Sequence, residues 1–176
     1  VDPDADAPTL EVSDVTGAED TAIPLTISSD LTDVDGSETL SLTISGVPEG
    51  ATLSAGSYDE DTGDWTLTPD QLEGLTVTPA TNDSDNFQLT VTATTTDGTD
   101  TTSVSETLDV TVEGVADAPT LDVTDAAGTE DQPIALDIQS GLTDDSEVLS
   151  VTISGVPEGA TLSAGTFDEQ TGDWAL

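Results

Sequence analysis

Acidic side chains are the residues in this chain whose types and spacing suggest chemistry. The sequence contains 38 Asp and Glu residues and no Lys, Arg or His, so its formal charge is −38. The acids concentrate in short stretches such as DPDADAP (2–8), DVDGSE (33–38) and DEDTGD (59–64). The spacing D-x-D-G-x-E suits a hard cation, because Ca²⁺ takes about six to eight oxygen ligands and glycine permits the tight bend between them. The chemistry predicted is therefore Ca²⁺ binding.

The same composition excludes several functional classes. Nucleic acid and anionic membrane surfaces are bound through Lys and Arg, which are absent, so neither is an expected partner. Paired carboxylates could serve a glycosidase, but no His, Lys, Cys or Arg is present to position or stabilise charge, and we do not expect an enzyme. No apolar run approaches the ~20 residues of a membrane-spanning helix, so direct membrane insertion is not expected.

The chain contains two copies of one unit. The stretch APTL at 7–10 returns at 118–121, an offset of 111 residues, and TISGVPEGATLSAG at 43–56 returns at 152–165, an offset of 109. Two residues are lost between these points, in the loop that reads TDVDGSE in the first copy and TDDSE in the second. A unit of this size is too long for a solenoid repeat and suits an autonomous domain in a tandem array.

The repeat predicts the domain organisation. We expect a linker at 1–8, a first domain at 9–115, a Ca²⁺-binding linker at 116–119 and the N-terminal part of a second domain at 120–176. The pattern of residues 68–115 does not recur by Leu176, and half a β-domain leaves unpaired strand edges. Truncation of the second copy, insertion of another domain, and completion by strands of a neighbouring chain all fit this pattern.

The strands that position the acidic loops are visible as apolar residues at period two. Seven short runs of this kind occupy the first copy, with turns rich in Gly, Pro and Asp between the runs. Three of these predicted strands are Ile23, Leu25 and Ile27; Leu40, Leu42 and Ile44; and Phe87, Leu89, Val91 and Ala93. Thr and Ser fill the alternate positions, where β-branched polar residues suit a solvated sheet face. The pattern predicts an all-β fold of tandem immunoglobulin- or cadherin-like β-sandwich domains with Greek-key topology.

Loop order predicts which acids share an end of the first sandwich, because successive connections of an antiparallel sandwich alternate between its two ends. The upper end, beside the linker 1–8, is expected to hold seven acids as metal ligands: Asp4, Asp6, Asp33, Asp35, Glu38, Asp97 and Asp100. The lower end, beside the linker 116–119, is expected to hold Glu19, Asp20, Asp83 and Asp85.

The second copy supplies further candidate ligands for Ca²⁺. We expect the lower-end acids to meet Asp117, Asp144, Asp145 and Glu147, and we expect Glu130 and Asp131 to repeat the roles of Glu19 and Asp20. Solvated loop acids without a metal are the alternative. Halophilic adaptation is another, but it predicts acids on the strand faces, where Thr and Ser stand instead.

Trp65 and Trp174 follow the same TGD triplet in the two copies. One interpretation is a platform on which a sugar stacks. The other is an aromatic residue that packs in the core or at a sheet edge, and the alternation shared by Trp65 and Leu67 favours it. The stretch GVPEGATLSAG is predicted to be a turn, with Pro48 and Pro157 fixing φ and the glycines permitting tight bends.

Taken in order, the motifs VADAPTL, GAED, LTDVDGSETLS, GVPEGATLSAG, GDWTLTPDQLEGL and FQLTVTATTTDG resemble the tandem cadherin-like repeats of giant bacterial surface adhesins of the repeats-in-toxin type. The resemblance covers essentially the whole chain. It implies extender domains that are stiffened by Ca²⁺ and hold an adhesive module away from the cell, in cell adhesion or biofilm formation. The shortened TDDSE loop of the second copy departs from the pattern.

The resemblance also implies partners and a location. The partners would be neighbouring repeats of the same polypeptide, together with a glycan or protein ligand of an adhesive module outside this segment. The location would be extracellular, on the surface of a Gram-negative bacterium that exports the protein by type I secretion. Two other functions fit the residues: a Ca²⁺-dependent carbohydrate- or peptide-binding module, and a subunit of an extracellular filament.

Overall fold

The protein is described by a computed structural model that covers residues 3–176, so the first two residues of the predicted linker 1–8 lie outside the described residues. The chain forms two compact units, which divide between Val115 and Ala116. Both units are built of β-strands, and the helical element of the described chain is a short 3₁₀ helix, Pro69–Leu72. The prediction of an all-β sandwich fold is confirmed.

Residues 3–115 of the first unit contain eleven strands. In chain order they are β1 (Thr9–Ser13), β2 (Val15–Ala18), β3 (Ile23–Pro24), β4 (Thr26–Asp30), β5 (Glu38–Ser45), β6 (Thr52–Leu53), β7 (Ser57–Asp59), β8 (Asp64–Leu67), β9 (Thr76–Thr78), β10 (Phe87–Asp97) and β11 (Asp100–Glu113).

The strands of the first unit form one large sheet and two small ones. The large sheet has six strands in the order β2-β11-β10-β5-β8-β7, and the small sheets are β1-β4 and β3-β9-β6. All pairs are antiparallel except β11 with β2, which is parallel. The long hairpin of β10 and β11 therefore lies in the interior of the large sheet, between β2 and β5.

The core of the first unit lies between the large sheet and the small sheets. Along β10, Leu89, Val91 and Ala93 are fully buried, whereas the threonines between them are only partly buried, as the period-two pattern predicts. The small sheets and their loops contribute the facing apolar side chains, and all of these residues form one contiguous cluster. The core members from the small-sheet side are Ile23, Leu25, Ile27, Leu53, Leu72, Leu75 and Val77.

Two segments of the first unit differ from the sequence-based expectation. The run Ile23, Leu25, Ile27 was expected to form one strand, but it is divided between β3 and β4, which belong to different sheets. The N–H of Leu25 donates to the carbonyl of Leu75 at 2.9 Å, which extends the pairing of β3 with β9, and the chain passes to the sheet of β1 and β4 from Thr26 onward. The predicted turn GVPEGATLSAG contains the short strand β6, which pairs with β9.

The second unit contains five strands. They are β12 (Thr120–Thr124), β13 (Asp137–Gly141), β14 (Thr152–Ile153), β15 (Thr166–Asp168) and β16 (Asp173–Ala175). They form a two-stranded sheet, β12-β13, and a three-stranded sheet, β14-β16-β15. These pairs repeat β1-β4 and β5-β8-β7 of the first unit.

Candidate metal-binding clusters

The upper end of the first unit brings the N-terminal linker against three acidic side chains. The backbone N–H of Asp4 donates to Asp97 Oδ2 at 3.1 Å, and the N–H of Ala5 donates to Asp100 Oδ2 at 2.9 Å. The N–H of Asp6 donates to Glu38 Oε1 at 2.6 Å. Each of these three carboxylates therefore fixes one linker residue, although the residues they join are far apart in the sequence.

Glu38 is the buried member of this upper cluster. It begins β5 opposite Asp97 of β10, and it falls on the same face of the strand as the core residues Leu42 and Ile44. Its side chain is only 7 % exposed, and its second oxygen, Oε2, is buried without a hydrogen-bond partner. A buried oxygen of this kind is costly unless a donor or a cation satisfies it.

Asp33 and Asp35 belong to the loop between β4 and β5, and their recorded contacts lie within that loop. The N–H of Asp35 donates to Asp33 Oδ1 at 2.9 Å. The hydroxyl and the backbone N–H of Ser37 both donate to Asp35 Oδ1, at 2.6 and 2.8 Å. The bond from the Ser37 hydroxyl, and to a smaller extent the bond from its N–H, holds the pKa of Asp35 below its usual value of 3.8.

The lower end of the first unit is organised around Glu19, which follows β2. Glu19 is 3 % exposed, and its Oε1 accepts the backbone N–H of Val115 at 2.6 Å, where the chain leaves the unit. Its own N–H donates to the carbonyl of Glu113 at 3.0 Å. Its Oε2, like that of Glu38, is buried without a hydrogen-bond partner. The first unit thus has one buried, half-satisfied glutamate at each end.

The other lower-end candidates, Asp20, Asp83 and Asp85, belong to two loops that contact each other. The N–H of Asn82 donates to Asp20 Oδ1 at 2.9 Å, which brings the loop after β2 against the loop after β9. Asp20 and Asn82 both have left-handed backbone conformations, with φ of 56° and 55°. Within the second loop the N–H of Asp85 donates to Asp83 Oδ1 at 3.0 Å.

The second unit repeats the upper-end contact. The N–H of Asp117 donates to Glu147 Oε1 at 2.6 Å, the counterpart of the bond from Asp6 to Glu38. Although the loop before Glu147 is shorter, Asp144 is buried, and it accepts the N–H and the hydroxyl of Ser146, both at 2.8 Å. Asp145 is exposed beside it.

The lower-end counterparts in the second unit are solvent-exposed. Glu130 and Asp131 occupy the positions of Glu19 and Asp20, and Asp131 repeats the left-handed backbone of Asp20 with a φ of 61°. Glu19 is buried because β2 lies along β11, and the described second unit has no strand in that position. The identity of a residue in the repeat therefore does not by itself decide whether its carboxylate is buried.

The structure brings the loops that carry several candidate ligands close to one another, but their carboxylates, within the described residues, do not share one coordination centre. Among residues 3–176, no three or more acidic side chains converge in an arrangement that could hold a metal ion. Oxygens of Glu19, Glu38, Asp97 and Asp100 accept backbone N–H groups, which are charge-assisted hydrogen bonds. The buried Oε2 atoms of Glu19 and Glu38 are the acceptors that still need a partner, and a hard cation such as Ca²⁺ fits such oxygens.

Sequence reasoning grouped these acids but did not single out the two buried glutamates. For Glu38 the signal was present, because it continues the alternation of Leu40, Leu42 and Ile44 and so falls on the inner face of β5. For Glu19 no such signal existed, because its burial depends on the parallel pairing of β2 with β11, strands nearly a hundred positions apart in the sequence.

Trp65 packs against the core, as its alternation with Leu67 predicts. Its ring lies 5.4 Å from that of Tyr58, which is exposed at the edge strand β7. The two rings line a groove of about 480 Å³ together with the turn around Pro48. Phe167, Trp174 and Pro157 line a groove of about 440 Å³ in the second unit. Sequence reasoning missed the part played by Tyr58.

The outer face of the large sheet carries hydroxyl groups. The outward residues of β10 between Gln88 and Asp97 are all threonines, and two of them pair across to β11. Thr92 lies 2.8 Å from Ser105, and Thr94 lies 2.8 Å from Ser103, between hydroxyl oxygens. The outward positions in the middle of β10 thus carry hydroxyl groups and not acids, whereas β11 carries the outward Asp109, which accepts the side-chain N–H of Gln88 at 2.8 Å.

Comparisons with known proteins do not identify this chain. No protein-family model matches it, and a search of curated proteins finds no match either. Within residues 3–176 there is no helix with the length and apolar character needed to cross a membrane.

Proposed function

We propose that this chain is a pair of extender domains that bind Ca²⁺ through the acidic clusters at the ends of each unit. The observation that carries the proposal is Glu38, whose Oε1 fixes the linker at Asp6 while its buried Oε2 has no partner. A Ca²⁺ ion bound to that second oxygen would join the linker and the sandwich through one side chain. The same backbone contact recurs between Asp117 and Glu147, so this contact belongs to the repeat.

The negative charge of the chain explains why Ca²⁺ would change the stiffness of the linkers. With 38 acids and no base of its own, the protein has no internal cation to offset the repulsion within a cluster. Bound Ca²⁺ would neutralise that repulsion and restrict the motion of each linker, so that a tandem array becomes stiff. Extenders of a secreted bacterial surface adhesin, which project an adhesive module for cell adhesion or biofilm formation, require this mechanical property.

The test compares the chain in Ca²⁺ and in EGTA by small-angle scattering and by thermal unfolding. Scattering is expected to show a longer and less variable particle in Ca²⁺. Unfolding is expected to require about 2.7 kcal/mol more at a Ca²⁺ concentration one hundred times the dissociation constant. Solutions matched in ionic strength with a monovalent salt separate ion binding from general screening.

Two variants make this test specific. Glu38→Gln removes the charge of the buried carboxylate, and Glu49→Gln removes the same charge from an exposed turn and serves as the matched control. A smaller Ca²⁺ response in Glu38→Gln than in Glu49→Gln supports the proposal, because the cluster around Glu19 is intact in both variants. Identical scattering profiles and melting temperatures of the unsubstituted chain in Ca²⁺ and in EGTA would exclude it.

The groove beside Tyr58 and Trp65 favours a second candidate function, the binding of a carbohydrate or peptide. An exposed aromatic ring next to a shallow apolar groove is a common element of such sites, and this one occurs in both units. A glycan array probed with the chain and with Tyr58→Ala tests it. Saturable binding that Tyr58→Ala abolishes would favour this function, and no binding by the unsubstituted chain would reject it.

A further inference from the structure

The groove beside Tyr58 and Trp65 lies at one edge of the large sheet of the first unit. Pro48 and Glu49 belong to its lining together with the two rings. The Tyr58 side chain is 54 % exposed, although its ring is one of the few aromatic rings in the chain. All lining residues fall between positions 47 and 65 of one closed sandwich, so the shape of the groove does not depend on either end of the chain.

The second unit shows which features of the groove are repeated. Phe167 replaces Tyr58 there, and Glu158 stands in the position of Glu49. The Phe167 side chain is 48 % exposed. Both units therefore present an exposed aromatic ring beside a glutamate, whereas the hydroxyl group of Tyr58 is not repeated.

The groove of the first unit adjoins a free strand edge. β7 is the last strand of the six-stranded sheet, and within residues 3–176 no strand lies along its outer edge. Tyr58 is the middle residue of β7 and pairs with Trp65 of β8. A free edge presents backbone N–H and C=O groups with which an extended segment can pair. Backbone partners and a groove for a side chain thus occur at the same place.

Trp65 contributes a polar group that needs a partner. Its Nε1 can only donate a hydrogen bond, and it is buried without an acceptor. A buried donor of this kind is costly. An occupant that supplies a carbonyl oxygen to this N–H would remove the cost, and a peptide backbone carries a carbonyl at every residue.

The charge around the groove selects the occupant. The turn that joins β7 to β8 carries four acids, Asp59, Glu60, Asp61 and Asp64, and Glu49 adds a fifth from the groove lining. The chain has no base, so a second copy of this edge would bring like charges together. A Lys or Arg side chain is instead attracted by these carboxylates, and it can lie against the face of an aromatic ring.

We propose that the groove and the outer edge of β7 bind an extended, positively charged peptide segment of a partner protein. The segment would add to β7 as a further strand and place a Lys or Arg side chain against Tyr58. Backbone hydrogen bonds would supply affinity and the side chains specificity. The inference rests on the second candidate function, which it narrows from a carbohydrate or peptide to a cationic peptide, and it does not depend on Ca²⁺.

The test titrates the isotopically labelled full chain, in EGTA and about 0.15 M salt, with a capped peptide of about eight residues in which Lys alternates with Val. NMR is expected to show saturable shift changes at the amides of Ser57–Asp59 and at the indole N–H of Trp65. At least one amide of Ser57–Asp59 is expected to exchange about tenfold more slowly. One control peptide carries Glu in place of Lys, and another keeps Lys but has a methylated backbone that cannot pair with a strand.

Two substitutions at one position separate the ring from the hydroxyl group. Tyr58→Ala is expected to weaken peptide binding by the first unit at least about tenfold, because it removes the ring. Tyr58→Phe should change the affinity less than about twofold, since Phe167 occupies this position in the second unit. The groove of the second unit is unsubstituted in both variants and serves as an internal reference.

Glutamate substitutions separate this inference from Ca²⁺ binding. Glu49→Gln is expected to weaken peptide binding about threefold, and Glu73→Gln, at an exposed glutamate outside the groove, is the matched control. Glu38→Gln should leave peptide binding unchanged, although it reduces the Ca²⁺ response. Failure of one proposal therefore leaves the other measurable.

The outcomes also separate the possible occupants. Binding of the Lys peptide at β7 that Tyr58→Ala weakens, and that neither control peptide reproduces, supports the proposal. Shift changes spread over all acidic loops and unaffected by Tyr58→Ala would indicate general charge attraction and overturn it. Binding of a glycan without binding of the peptide would assign the groove to a carbohydrate and overturn it as well, as would the absence of any binding.

Discussion

The two units contain an identical stretch of sequence that adopts two different structures. Thr52 and Leu53 form β6 in the first unit, whereas Thr161 and Leu162, in the same fourteen-residue stretch TISGVPEGATLSAG, form no strand. The equivalents of β2, β3 and most of β5 are likewise not strands in the second unit. Each of these segments pairs in the first unit with β9, β10 or β11. Strand formation here depends on a distant partner.

The local hairpins, in contrast, are the same in both units. The rings of Tyr58 and Trp65 lie 5.4 Å apart with an interplanar angle of 45°, and those of Phe167 and Trp174 lie 5.5 Å apart at 44°. In each hairpin turn a glycine N–H donates to an aspartate carbonyl at 2.8 Å. These contacts join residues that are close in the sequence, and they are the same in both units.

The largest expected difference between the units concerns their equivalent leucines. Leu25→Ala is expected to destabilise the first unit by about 2–5 kcal/mol, because it leaves a cavity in a closed core. Leu136→Ala should cost less than about 1 kcal/mol, because that side chain is half exposed. Urea unfolding followed by hydrogen exchange of each unit measures both, and equal costs would contradict the contrast.

A second pair of substitutions tests how closely β10 packs against the turn that follows β5. Gly46 and Gly155 both have positive φ, of 84° and 74°, so alanine is strained at either position. A Cβ at Gly46 would lie 2.5 Å from the backbone oxygen of Gln88, whereas one at Gly155 would meet nothing within 4 Å. Gly46→Ala is expected to cost about 1–3 kcal/mol more than Gly155→Ala. Thermal unfolding of the two variants gives the difference, and Gly155→Ala is the matched control.

The third comparison concerns the buried and the exposed glutamate. Glu19→Gln is expected to weaken Ca²⁺ binding to the first unit at least about tenfold, or about 1.4 kcal/mol, because it removes charge from a buried oxygen that has no other partner. Glu130→Gln should change the affinity less than about twofold, since its carboxylate is exposed and screened by water. Titration calorimetry measures both affinities. Equal effects of the two substitutions would show that burial does not determine which carboxylate binds Ca²⁺.

In EGTA the effect of Glu19→Gln on the melting temperature is expected to have the opposite sign to its effect in Ca²⁺. The uncharged Gln avoids the cost of a buried anion, so Glu19→Gln should raise the melting temperature of the first unit without Ca²⁺ and lower it with Ca²⁺, relative to the unsubstituted chain. A decrease under both conditions would assign Glu19 a purely structural role.

The smallest expected effect concerns the longer loop of the first unit. Ser37 holds the pKa of Asp35 below 3.8 in the folded state, so ionised Asp35 stabilises the fold above pH 3.8, and this contribution is lost as the pH falls through the lower folded pKa. Ser37→Ala should raise that pKa toward 3.8. An NMR titration of the Asp35 carboxyl carbon measures it, with Ser41→Ala, on the outer sheet face, as the control. An unchanged pKa in Ser37→Ala would refute the assignment.

Much of the fold was predictable because the alternation of apolar residues is local information. Leu89, Val91 and Ala93 were placed on one buried face of a strand by period alone, and all three are fully buried. The division of the run from Ile23 to Ile27 between two sheets was not predictable in this way, because it depends on a hydrogen bond to Leu75 from another part of the chain.

The sequence predicted which loops share an end of the first unit, but it did not predict which atoms contact each other there. Loop alternation placed Asp6, Glu38 and Asp97 at one end, and the structure joins the linker to the two side chains through backbone N–H groups. Which carboxylate is buried depended on strand pairing, as the contrast of Glu19 with Glu130 shows.

The sequence by itself determined the all-β class, the repeat, the concentration of acids in loops and the hairpins, because each of these depends on neighbouring residues. Only the tertiary structure decided that Glu19 and Glu38 are buried with one oxygen unpaired, and that identical residues form a strand in one unit and none in the other. The physical reason is that backbone pairing and burial need partners from distant parts of the chain, and within residues 3–176 those partners, β9, β10 and β11, belong to the first unit.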